Sequence, residues 1–347
     1  MSLKSLIILT FIVIAGGIAY YFTALESEKG VSVEDAQLIP DLAQNLGLVT
    51  KLTLHRAGNQ LLAEVRKSED GWVVSNRHDY EADISAVRGI FSEMAQARLI
   101  EKKTASQENY SRIGVEDISN ADAQGVQFTI TGLPETVRVI TGKKGNLQDT
   151  QFIRKAGDAQ SWLIDRRLHL DRDAAWWLRK DILDIPPEDI ESIRIRHMDG
   201  DELVIVNVSR ENYEFALDHP VSDDMQVSES ELYQVANALS SLQLRNVVSL
   251  QSIREEILPS TIATFRTYDG LHVEARTFSI GKNRYVRLNL EIELESAEEN
   301  RQASAAQVRR LVEALEPKVS GWAFELPTIT QDAMVKRLED ILLQKDG

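Results

Sequence analysis

The chain has 347 residues, a formal net charge of −15, 43% hydrophobic residues and 27% charged ones. That length allows about two domains, and the composition excludes a wholly disordered or fibrous protein. The acidic balance argues against a nucleic-acid partner, and the absence of cysteine excludes disulfides, thiolate metal sites and a cysteine nucleophile.

Residues 5–23 form an uncharged apolar run containing Leu6-Ile7-Ile8-Leu9 and Phe11-Ile12-Val13-Ile14. As a helix it would span roughly 28 Å, close to the hydrocarbon thickness of a bilayer. Tyr20, Tyr21 and Phe22 stand where an interfacial aromatic belt would lie, Lys4 precedes the run, and Glu26 and Glu28 follow it. The expectation is a single transmembrane anchor, with residues 1–4 in the cytoplasm and the bulk of the chain outside the cytoplasmic membrane. A cleaved signal peptide competes through Gly17-Ile18-Ala19, but its mature chain would begin with exposed aromatics. Residues 24–48 read as a polar tether followed by a short helical piece carrying Leu38, Ile39, Leu42 and Leu46.

From Val49 the chain shows an internal repeat. The first copy opens with Leu52-Thr53-Leu54, turns at Ala57-Gly58-Asn59, returns through Leu61 to Val65, and turns again at Asp70-Gly71 into Trp72-Val73-Val74. The second opens with Ile193-Arg194-Ile195, turns at Asp199-Gly200 and returns through Leu203 to Val206 into Tyr213-Glu214-Phe215. Period-two alternation broken by glycine turns indicates antiparallel hairpins. Ile84, Val87, Phe91 and Met94 then fall at helical spacing, as do Leu232, Val235, Leu239 and Leu242. Further strands are expected in both halves, with Gly142-Lys143-Lys144-Gly145 read as a hairpin turn. Closing helices are expected over 173–183 and 330–343, with one more near 303–315.

The fold class is therefore α+β: an N-terminal transmembrane helix, then two tandem, duplicated modules of mostly antiparallel sheet with covering helices. The modules are placed at 49–186 and 187–347, divided at Ile185-Pro186-Pro187, because consecutive prolines stiffen and extend the chain.

The residues disclose little chemistry. No phosphate-binding loop, dinucleotide fingerprint or H-E-x-x-H motif occurs, so no catalytic, cofactor-binding or metal residue is assigned. His55 and His197 occupy similar points near the ends of the two opening strands, but surface strand ends explain them more simply than a metal pair. Asp165, Asp171 and Asp173 among Arg166, Arg167 and Arg172 read as a salt-bridged loop, since the spacing of a calcium loop is lacking. Glu291, Glu293 and Glu295 alternate with apolar residues as a strand's solvent face would. Trp176 and Trp177 are neighbours that cannot both face one core. With Asp171 they are the candidate interaction surface, against the simpler reading of packing between modules.

Taken together, Leu52-Thr53-Leu54, Asp70-Gly71-Trp72, Tyr110-Ser111-Arg112-Ile113-Gly114-Val115, the 140–154 stretch, Trp162-Leu163-Ile164-Asp165 and Trp177 with Asp181-Ile182-Leu183 resemble a bacterial family known as a domain of unknown function (DUF4340). The resemblance implies a membrane-anchored periplasmic accessory protein, encoded in many cases beside ABC transporters of the gliding-motility type. The expected partners are the membrane, an ABC permease with its ATPase, and another extracytoplasmic subunit. The resemblance transfers no catalytic residues and no cofactor. A non-enzymatic binding protein is thus the leading reading, ahead of an envelope glycan, peptide or lipid binder and of a periplasmic hydrolase.

Overall fold

The computed structural model describes residues 36–147, 149–253, 258–292 and 299–344. The expected anchor at 5–23, the tether up to residue 35, and Glu293, Glu295 and Glu298 lie outside the described residues. Among the described residues no helix is long and apolar enough to cross a membrane.

The chain is α+β, with mostly antiparallel sheets and several helices. A short helix α1 (Leu42–Asn45) leads in; Leu38, Ile39 and Leu42 are buried, while Leu46 is exposed. Then come β1 (Lys51–Arg56), β2 (Gln60–Lys67), β3 (Trp72–Val74), β4 (Tyr80–Glu81), α2 (Ile84–Gln96), β5 (Leu99–Lys102), α3 (Tyr110–Ile113), β6 (Val126–Thr131), β7 (Val137–Lys144), β8 (Gln151–Lys155) and β9 (Ser161–Ile164). A 3-10 turn (Ala174–Trp177) and β10 (Asp181–Leu183) follow. The remainder holds β11 (Ile190–His197), β12 (Glu202–Ser209), β13 (Glu214–Leu217), β14 (Met225–Val227), α4 (Glu229–Ala236), β15 (Leu242–Gln243), β16 (Asn246–Ser249), β17 (Thr261–Thr267), β18 (Leu271–Ile280) and β19 (Asn283–Ile292). It closes with α5 (Glu299–Val319), β20 (Trp322–Glu325), α6 (Thr328–Ala333), α7 (Leu338–Ile341) and β21 (Leu342–Gln344).

The two large sheets have one neighbour order. The first runs β4-β3-β2-β1-β6-β7-β8-β9-β5 and the second β13-β12-β11-β17-β18-β19-β20-β16. Apart from β4, each strand of the first has a counterpart in the second, in the same sequence order and the same place. The alternation that predicts these strands is visible in burial. Val126, Phe128 and Ile130 face the core between half-buried polar neighbours, and Thr261, Ala263, Phe265 and Thr267 repeat the pattern. Helix α2 buries Val87, Ile90, Phe91, Met94 and Ala95 as one stripe, and α4 buries Leu232, Val235 and Ala236.

Several expected elements differ. Gly142 to Lys144 is the end of β7 rather than a turn. A side chain at Gly142 would collide with the Ile113 carbonyl oxygen, so glycine is required there by close backbone approach. Gly114, at φ 72°, ends α3 in the left-handed region and donates its N–H to Tyr110 O, so the two glycines together seat α3 on β7. The expected helix over 173–183 is a 3-10 turn and a strand, and that over 330–343 is two short helices and part of β21. The helix expected near 303–315 is the longer α5, and Glu299 opens it.

The chain packs as two compact units. One holds the described residues up to Trp72 together with Ile84–Asp173, and the other holds Val73–Asp83 and the chain from Ala174 onward. The division therefore falls at Asp173/Ala174, ahead of the expected boundary at 186/187. Backbone bonding explains the shift. Asp83 N–H donates to Trp177 O, Arg179 N–H to Glu81 O, Leu244 N–H to Lys180 O and Ile185 N–H to Leu239 O, while β10 pairs with β15. Ile185-Pro186-Pro187 thus lies within the second unit, where Pro187 opens a 3-10 turn.

The core of the second unit includes Tyr80, edge-on to Trp322 at 5.0 Å and to Phe324 at 6.3 Å. Burial pushes its hydroxyl pKa up to about 12. A raised phenol pKa contributes stability that is present below the unfolded value near 10 and is lost as pH rises towards 12. Alkaline unfolding of the second unit should therefore steepen over that interval, and Tyr80→Phe should flatten it, as read by circular dichroism against pH.

Candidate functional site

The Ala174–Trp177 turn places its two tryptophans oppositely. Successive residues of a 3-10 turn project about 120° apart, so one ring enters the core while its neighbour leaves it. Trp177 is 0% exposed and Trp176 is 39% exposed. The rings meet edge-to-face at 4.9 Å and 81°, so the displayed ring rests on a fixed one. Lys180 Nζ donates to Ala175 O and ties the turn to the start of β10. Asp171 belongs to the first unit, where its carboxylate accepts the Asp173 N–H at 2.8 Å; it is a turn-forming side chain. Of the three candidate residues, only Trp176 displays a large apolar surface. Asp165, in the same acidic stretch, accepts Arg98 N–H and Arg166 Nε–H as part of a salt-bridged loop.

The first unit contains a feature that residue types did not single out. Arg154 of β8 is 2% exposed, and its guanidinium lies 4.5 Å from the Tyr110 ring. It donates to Val115 O, Asp158 O and Asp117 Oδ1, while Tyr110 Oη–H donates to Ala159 O at 2.6 Å. An arginine in a strand reads as a solvent-facing residue, so only the fold shows that the 103–125 excursion covers it. Beside this network opens a cavity of about 540 Å³ lined by Gln107, Tyr110, Glu116, Asp117 and Asp122. The Glu116 Oε2 atom is buried without a hydrogen-bond partner.

In the second unit a recess of about 330 Å³ is lined by Arg245, Lys282, Arg284, Glu325 and Gln331. Arg284 pairs with Asp332 at 2.9 Å, and Gln331 donates to Arg284 O and Leu326 O. Elsewhere the β11–β12 turn grips the C-terminal segment: Arg337 donates to Asp199 Oδ2 at 2.7 Å and to Asp201 Oδ2 at 3.0 Å. His197 joins the same join-up, its Nε2 against Lys336 O and its Nδ1 against Thr261 Oγ1, both at 3.2 Å. The Arg337 hydrogen bond holds the Asp199 carboxyl below its usual range. A depressed carboxyl pKa stabilises above the unfolded value and is lost as pH falls through the folded one. Protection of the Leu338–Ile341 amides, taken as exchange relative to the unfolded-chain rate at each pH, should fall below about pH 4, and Arg337→Ala should remove that protection already at neutral pH. Among the described residues no three His, Asp or Glu side chains converge as a metal group.

The architecture defines a protein of two antiparallel-sheet bodies with a common strand order, carrying one displayed tryptophan on a short turn. The family model described as "Domain of unknown function (DUF4340)" matches residues 72–260, more than half of the chain, and the protein belongs to that family. No curated protein and no solved structure matches the chain.

Proposed function

We propose that the chain is a non-enzymatic, single-pass accessory protein. Residues 5–23 anchor it in the cytoplasmic membrane with the N-terminus inside, and the two units bind partner proteins in the periplasm. The common strand order of the two sheets supports descent by duplication of one module. The observation that carries the partner-binding reading is Trp176, a half-exposed ring held on a buried one. Rigid aromatics of this kind dominate protein interfaces, because they bury much area while losing little side-chain entropy. The anchor would hold this surface near a membrane complex and raise its effective concentration for a weak interface. The transport assignment, as an auxiliary subunit working with an ABC permease and its ATPase, comes from the family resemblance.

The same ring supports a second reading, an envelope glycan or peptide binder, since an exposed indole also stacks on sugars and peptides. One experiment separates the two. A photo-crosslinking residue at position 176 of the full-length protein, activated in intact membranes, should capture an ABC permease together with its ATPase. Capture of envelope polymer alone, or of nothing proteinaceous, would sink the transport reading.

A further inference from the structure

The two sheets differ at one edge. In the first, β3 carries β4 on its outer side, with Val73 opposite Glu81 and Val74 opposite Tyr80. The corresponding strand in the second sheet is β13, and it ends that sheet. β14, which follows β13 as β4 follows β3, pairs instead with β21: Met225 faces Gln344, Gln226 faces Leu343 and Val227 faces Leu342. Among the described residues, a place that a strand fills in one sheet is thus open in the other.

The register shows what the open edge offers. Asp218 N–H donates to Val204 O, and Ala216 stands opposite Val206. Alternation along an antiparallel pair then turns the N–H and C=O groups of Phe215 and Leu217 away from β12. Phe215 packs edge-on against Tyr233 of α4 at 6.1 Å, so the helix-covered face of the edge is apolar, and Tyr233 itself is 42% exposed. On the other face stand Glu214, Ala216 and Asp218. Arg210 is turned elsewhere, stacked on Tyr268 at 4.6 Å and paired with Asp189 at 3.7 Å.

We propose that β13 is a docking edge that takes an extended segment of a partner protein by antiparallel strand addition, the segment alternating apolar with basic side chains. Its apolar residues would lie beside Phe215, Leu217 and Tyr233, and its basic residues beside Glu214 and Asp218. Main-chain bonds to Phe215 and Leu217 supply the affinity and the alternating side chains the specificity. A second copy of this chain is disfavoured as occupant. Self-pairing about Ala216 would set Glu214 of one molecule opposite Asp218 of the other, and like charges directly opposed destabilise a ladder. The proposal rests on the reading of the chain as a protein-binding accessory and names the kind of segment bound.

The test uses the full-length chain in a neutral detergent with two capped seven-residue peptides, one alternating lysine with valine and one alternating glutamate with valine. Hydrogen exchange is followed at residues 214–218. Without peptide, the Phe215 and Leu217 amides should exchange at least tenfold faster than Ala216. Millimolar lysine–valine peptide should slow them at least tenfold, and the glutamate–valine peptide should not. Leu217→Pro should abolish the slowing, since it removes an outward N–H that an edge strand does not itself use, whereas Leu217→Ala should keep it. No slowing with the lysine–valine peptide, equal slowing by both peptides, or slowing that persists in Leu217→Pro would overturn the proposal. Protection present without peptide and lost on dilution would assign the edge to self-pairing instead. This readout is independent of crosslinking at position 176, so failure here and failure of the accessory reading are told apart.

Discussion

Trp177→Ala should destabilise the second unit by about 4 kcal/mol, the range for removing a large aromatic from a closed core. Trp176→Ala should cost about 1 kcal/mol or less, the worth of one edge-to-face contact and a half-exposed ring. The contrast follows from a turn that buries one indole completely and leaves its neighbour 39% exposed. Urea unfolding followed by circular dichroism measures both, with the loss falling in the transition of the unit that contains Ala174 onward. Copurification of the partner from solubilised membranes should reverse the order: Trp176→Ala should lose the partner while still folded. Equal destabilisation by the two substitutions would mean that Trp176 is a packing residue, and the partner-binding reading would lose the observation that carries it.

The second large effect lies in the first unit. Arg154→Met should destabilise it by about 3 kcal/mol, because the Val115 and Asp158 carbonyls and the Tyr110 ring lose their shared cation together. Half of the Asp117 side chain is exposed, so water can replace that part of the interaction. Arg154→Lys should recover little of the loss. A single ammonium cannot reach in three directions from one plane or stack flat on a phenol ring. Tyr110→Phe removes only the bond to Ala159 O and should cost about 1 kcal/mol. Denaturant midpoints of the four proteins order these effects, and a midpoint for Arg154→Lys equal to that of the parent would show that charge alone matters.

Much of the local structure was legible from residue pattern. The Gly58 and Gly200 turns, the alternating strands β1, β6, β11 and β17, and the apolar stripe of α2 all stand where spacing puts them. These features depend on a residue and its near neighbours, through side-chain period and the freedom of glycine at positive φ. The opposed placement of Trp176 and Trp177 was legible for the same reason, since adjacent residues cannot share one face. Asp171, named beside them in the sequence, is a turn-forming residue of the other unit, a placement that residue spacing did not indicate.

What only the tertiary structure decided concerns partners distant in sequence. Gly142 looks like a turn residue until Ile113 is found against it, and Arg154 looks solvent-facing until Tyr110 and Val115 cover it. The division at Ala174 rather than at the proline pair follows from backbone bonds between residues as far apart as Asp83 and Trp177. The choice that frees β13, with β14 joining β21 across more than a hundred residues, is of the same kind. Strand pairing is made by backbone groups that every residue carries, so composition and period name the strands but not which edges they meet. The chain alone determined an acidic α+β protein with two repeating sheets and an apolar run at 5–23; long-range packing decided which surfaces it leaves open.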